Sequence, residues 1–243
     1  MLTAGLWGLV AASSLVVGAL AVFAIPISRR ALGLIMGFGS GVLISALAYE
    51  LVEDAFSLGG GSARVAMGLA AGALAFFAGD LVIDRAGGEH RKRSAGPEVD
   101  APALAIVLGI VLDGVPESVA IGVSLLAGGT VSAAMVAAVF LSNVPEAVAA
   151  TSGLTKSHFS RARVLVLWIA VALVSAFAAA AGYVVLGNSS PAAVAFSQAF
   201  AGGAILTMLA DTMMPEAFEY GGATVGLMTV LGFSLAFMLT NLK

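Results

Sequence analysis

The chain has 243 residues, of which 60% are hydrophobic and only 10% charged, with a mean hydropathy of +1.06 and a formal net charge of −3. Soluble domains carry about 25% charged residues, so this composition excludes a water-dissolved globule and leaves an integral membrane protein. Cysteine is absent, which excludes disulfides and thiolate metal sites. The net charge says little about partners, because many of the acids lie within apolar stretches. The lipid bilayer is the expected environment, and no nucleic acid partner is expected.

Apolar runs of roughly 20 residues match about 30 Å of hydrocarbon. Eight are expected, over 3–25, 31–56, 64–84, 103–127, 130–154, 163–187, 191–216 and 222–240. A spanning backbone must satisfy its own hydrogen bonds, as helices or as a closed barrel. Unbroken runs rich in Ala, Leu, Val and Gly predict helices, since a barrel would alternate with period two. The expectation is an all-α membrane protein forming a single domain over 1–243. The first run is too long, and too uncharged at its start, to read as a cleaved signal peptide.

Arg29 and Arg30 follow the first run, and Glu50, Glu53 and Asp54 lie toward the end of the second. Asp80 and Asp84 close the third and are expected at the membrane interface, with Asp84 able to pair with Arg85. The only sizeable polar segment, 85–102, contains Gly87, Gly88, Gly96, Pro97 and Pro102 and reads as a linker. Its Glu89-His-Arg-Lys-Arg-Ser94 cluster is expected to set topology rather than to bind lipid headgroups. Lys156, Arg161 and Arg163 follow the fifth run, whereas only Arg64 and Lys243 lie on the opposite side. Nine of the eleven basic residues therefore fall in odd-numbered loops, which places those loops in the cytoplasm and both termini outside a cell membrane, with a prokaryotic inner membrane expected. His90 and His158 fall in cytoplasmic loops without a ligand-type neighbour at helical spacing, and both read as solvated.

The second and seventh runs repeat one another at a constant offset of 162 residues. Phe38-Gly-Ser-Gly-Val-Leu-Ile corresponds to Phe200-Ala-Gly-Gly-Ala-Ile-Leu, and both stretches end in Ala-Phe-x-x-Gly-Gly. Five runs separate them, so the copies should cross in opposite senses, as in transporters built from inverted repeats. A second repeat relates Leu112-Asp-Gly-Val-Pro-Glu-Ser-Val-Ala120 to Leu141-Ser-Asn-Val-Pro-Glu-Ala-Val-Ala149, offset by 29. The expected arrangement is 3+2+3, with spans one to three and six to eight around a central pair.

Each central helix carries a Pro-Glu dipeptide at mid-depth. One carboxylate at the bilayer centre costs roughly 2.5–3.5 kcal/mol, so such acids are functional candidates. Asp113 and Glu117 share a helical face, as do Ser142 and Glu146, and Asn143 points with Glu146. Pro116 and Pro145 cannot donate to the carbonyls of Leu112 and Leu141, which are thereby freed as ligands. No Lys or Arg lies in either span, so these acids either hold protons or enclose a cation. An all-oxygen set suits Mg, Mn or Ca, and less well ferrous iron or zinc. Gly114, Ser118 and Gly122 form a small-residue stripe expected to serve packing. Glu50, Asp54, Asp211 and Glu216 are candidate pathway acids, and the repeat pairs Asp54 with Glu216.

At these residues the sequence resembles the ZIP (Zrt/Irt-like) family of divalent-metal transporters, along essentially the whole chain. That family has eight spans, outward termini, a variable third loop and a His-Asn-x-Pro-Glu-Gly type motif in spans four and five. Here Asp113 and Ser142 stand at the histidine positions, Gly114 and Asn143 at the asparagine positions, and Ser118 at the span-four glycine. The ligand-type glutamate of span six is missing, and Ser175 is the nearest polar residue there. The resemblance implies a binuclear-type site bridged by Glu117 and Glu146, a transported Zn, Fe, Mn or Cd ion rather than a resident cofactor, and pairing as a homodimer. Loss of imidazole should weaken zinc and favour hard cations. The alternative expectation is a degenerate ZIP-fold protein acting as a metal sensor, a regulatory subunit or a carrier of another solute. Gly79-Asp80 hints at an intramembrane aspartyl protease, but the companion Tyr-Asp motif is missing, so no enzyme is expected.

Overall fold

The computed structural model describes residues 1–85, 103–128 and 132–240. His90, the basic cluster of the third loop and Lys243 lie outside them. Among the described residues there are helices and no strand. We number the helices α1 (Leu2–Ala24), α2 (Arg29–Gly59), α3 (Gly61–Ile83), α4 (Ala103–Gly128), α5 (Ala133–Lys156), α6 (Arg161–Leu186), α7 (Pro191–Gly221) and α8 (Thr224–Thr240). Seven helices are long and apolar enough to cross a membrane, as expected of a multi-pass membrane protein. The eighth, α8, is apolar but has 17 residues.

Serine hydroxyls start four of these helices. Ser28, Ser132, Ser160 and Ser190 accept from the backbone N–H three residues on, satisfying a donor that the first turn leaves unpaired. Ser132 explains why the fifth helix begins after residue 132 rather than at 130.

Helices α2 and α7 run further than the apolar pattern predicts. Each is α-helical for 18 residues, over Arg29–Ala46 and Pro191–Met208, and then widens into a π turn, over Leu47–Val52 and Leu209–Met213. Both changes occur at the same repeat offset, so the 162-residue periodicity reaches the backbone hydrogen-bond pattern. Neither helix stops at its acids. Each ends where a glycine takes a positive φ that side chains resist, 83° at Gly59 and 64° at Gly222. Arg64 then donates to the Gly59 carbonyl at 3.0 Å, tying α3 to the end of α2.

Packing follows the same repeat. Helix α2 lies against α8 and α7 against α3, while α1 contacts both α5 and α6, and α4 contacts α6. A Cβ at Gly41 would collide with the Thr229 carbonyl of α8, and one at Gly203, its repeat equivalent, with the Leu69 carbonyl of α3. The small-residue stripe of α4 also proves to be a contact surface. A Cβ at Gly122 would run into the Ala179 carbonyl of α6, and one at Gly114 would lie 3.8 Å from Ser175 Oγ. Trp168 of α6, fully buried, donates its indole N–H to Thr151 Oγ1 of α5 at 2.8 Å. The largest core cluster joins α2 and α7 to residues of α4 and α5, among them Leu43, Ala46, Ile121, Met135, Val139, Ile205 and Met208.

Candidate metal site

Helices α4 and α5 continue through Pro116 and Pro145. A proline without an N–H leaves the carbonyl four residues earlier without its helical partner, at Leu112 and Leu141. The Leu141 carbonyl lies against Gly39 of α2. A Cβ at Gly39 would be 3.3 Å from that oxygen and 3.4 Å from Ser142 Cα. The bare backbone of α2 thus seals one side of α5 at the depth of Ser142.

Across α4 and α5, the Ser142 hydroxyl donates to Glu117 Oε1 at 3.2 Å and lies 3.0 Å from the Val139 carbonyl. Glu117 is 1% exposed, and its Oε2 has no hydrogen-bond partner. Asn143 is buried beside Ser142, and Ser118 Oγ donates to the Gly114 carbonyl at 2.7 Å. Glu146, partly exposed, lies within electrostatic reach of Glu117, Asp113 and Glu216. Asp113 likewise acts on Glu117. Four carboxylates from three helices therefore share one electrostatic neighbourhood. Among the described residues, however, no three His, Asp or Glu side chains converge closely enough to hold a metal ion.

Helix α7 supplies the residue that sequence reasoning set apart. Glu216, grouped above with the pathway acids, is buried and accepts from Tyr220 Oη at 2.7 Å. A signal for this was present. Pro215-Glu216 is a third Pro-Glu dipeptide within an apolar run, alongside Pro116-Glu117 and Pro145-Glu146.

The remaining candidates are distributed elsewhere. Asp211 lies on an exposed face of the π turn of α7, and Asp54 is half-buried on α2. Glu50 is buried within the π turn of α2. Asp80 is buried among the helices, on the face of α3 that packs inward. Asp84 Oδ1 is buried without a hydrogen-bond partner. His158 is exposed, at a turn with φ of 61°. Among the buried polar residues that went unnoticed in the sequence are Gln198 and Ser45, neither with a hydrogen-bond partner for its side chain. No family model matches the chain, and no curated protein matches it in sequence.

Proposed function

We propose that the chain is a ZIP-like transporter that passes a divalent cation between α4 and α5. Glu117 carries this reading. It is a carboxylate sealed from solvent, with one oxygen bonded by Ser142, the other orphaned, and further acids around it. Breaking or omitting the partner of a buried charge costs several kcal/mol, about 3–5 by mutational measure. The only Lys or Arg in either helix is Lys156, the last residue of α5, ten residues beyond Glu146. A doubly charged ion among Asp113, Glu117, Asn143, Ser142 and Glu146 relieves the repulsion, and an oxygen-only set prefers manganese, magnesium or calcium over ferrous iron or zinc.

In this reading all eight helices span the bilayer, α1–α3 and α6–α8 being inverted repeats about the α4/α5 pair, with the odd-numbered loops inside. Supporting it are the matched π turns and the matched glycine contacts of α2 with α8 and of α7 with α3. Close glycine packing also gathers α1, α4, α5 and α6 into one set. Gly18 of α1 meets Ala147 of α5, and Gly122 of α4 meets Ala179 of α6. Sliding or rocking of that set against the α2/α8 and α3/α7 pairs would expose the site alternately to each side.

The test is uptake of Mn, Fe, Zn, Cd and Mg into proteoliposomes by the parent and by Glu117→Gln/Glu146→Gln. Flux in the parent and its loss in the double variant is the expected result. Absence of flux for every metal removes the transporter reading, and unchanged flux in the variant misplaces the site. The second reading, a degenerate ZIP-fold sensor or carrier of another solute, is favoured by the lack of a convergent ligand trio. It predicts metal binding without flux, or neither.

A further inference from the structure

Away from Glu117, Gln198 of α7 is a buried side chain, 0% exposed, both of whose polar atoms, Oε1 and Nε2, lack hydrogen-bond partners among the described residues. A buried amide in this condition forfeits about 1–3 kcal/mol, so its retention needs a cause. A second orphan lies on α2. Glu50 is 4% exposed, and its Oε1 also lacks a partner.

Packing brings the two segments together. A Cβ at Gly202 would be 3.8 Å from Val52 and 3.9 Å from Leu47, and Ala55 clusters with Ala195 and Ala199. Gln198 lies between these two contacts, level with the last turns of α2. On α7 it shares a face with Ala201, Ile205 and Met208, and on α2 Glu50 continues the face of Gly39, Leu43 and Ala46. These are the faces that join the core with α4 and α5. Glu50 is also held in a π turn, whose widened backbone leaves carbonyls without their usual partners and recurs at functional sites.

We infer that Glu50 and Gln198 form a second station, one that takes a partly hydrated divalent cation on its way to Glu117. The station rests on the transporter reading. A carboxylate oxygen and an amide oxygen are hard ligands, and water completes the shell of a cation such as Mn or Mg, which keeps several waters when few protein ligands are offered. The repeat equivalents of these residues, Met36 and Thr212, offer no carboxylate, so the station exists at one end of the passage only.

The experiment is Mn²⁺ binding to the purified full chain in detergent, followed by loss of the free-ion paramagnetic resonance signal. The parent should show two classes of site. Glu117→Gln/Glu146→Gln should keep the weaker class, and adding Gln198→Leu should weaken that class about tenfold or more, with Gln198→Glu restoring it. Gln198→Leu should also raise the metal-free melting temperature, because an orphaned amide is replaced by an apolar group of similar size; this shows that the variant folds. The inference is overturned if Glu117→Gln/Glu146→Gln binds no Mn²⁺, or if Gln198→Leu leaves its residual binding unchanged. If the parent and Glu117→Gln/Glu146→Gln bind alike while Gln198→Leu abolishes binding, the central site fails and this one stands.

Discussion

Ser142 of α5 donates its hydroxyl to Glu117 of α4 over 3.2 Å, a side-chain hydrogen bond between the central helices. It links the two Pro-Glu motifs at the depth where α2 closes over α5 through Gly39. Ser142→Ala leaves Glu117 buried without that donor, a loss of about 1–3 kcal/mol. The expected outcome is a lower melting temperature in metal-free detergent and a smaller deficit once Mn²⁺ is added. A deficit that Mn²⁺ leaves untouched would count against a cation at Glu117.

Glu216 reaches the α4/α5 acids from another helix and is held by Tyr220. On the transporter reading, its charge would act on the path of an ion leaving Glu146 rather than on the Ser142–Glu117 contact. Glu216→Gln should cut the maximal uptake rate several-fold while shifting the half-saturating metal concentration little. Initial rates across a concentration series in proteoliposomes separate the two effects.

Helix contacts set by glycine make a sharp pair of variants. Gly122→Ala drives a methyl into the Ala179 carbonyl, whereas a Cβ at Gly226 meets nothing within 4 Å. Overpacking of this kind costs about 1–3 kcal/mol. Gly122→Ala should melt at clearly lower temperature than the parent, and Gly226→Ala should match or exceed it, since alanine favours helix by about 1 kcal/mol over glycine. Equal melting of both variants would contradict the α4–α6 contact.

Trp168 and Thr151 join α6 to α5 through a fully buried hydrogen bond. Trp168→Phe removes both the donor and part of the packed volume. A loss of about 2–4 kcal/mol follows from the combined transfer, cavity and hydrogen-bond terms, read as a fall in melting temperature, with metal binding at the central helices retained.

Much of the architecture was legible in the residues alone. Apolar runs marked the helices because hydrocarbon admits no unpaired backbone, and seven of the eight runs became helices long enough to cross. The 162-residue repeat was legible because equal sequence in equal surroundings folds equally, down to the paired π turns. Helix ends were less so. The apolar runs were expected to end at 56 and 216, but positive φ at Gly59 and Gly222 sets the ends further on, where a glycine can turn the backbone.

Neighbourhoods were what spacing could not supply. Helical periodicity placed Asp113 with Glu117 and Ser142 with Glu146, because residues four apart on one helix are neighbours by construction. Glu216 joins Glu146 only through the packing of α7. Gln198 and Asp80 look like any polar residues until their burial is known. Composition and period act along one chain segment, whereas contacts between segments depend on which backbones can approach. Here glycine placement on α2, α4 and α7 decides that, by admitting neighbouring carbonyls where any side chain would exclude them.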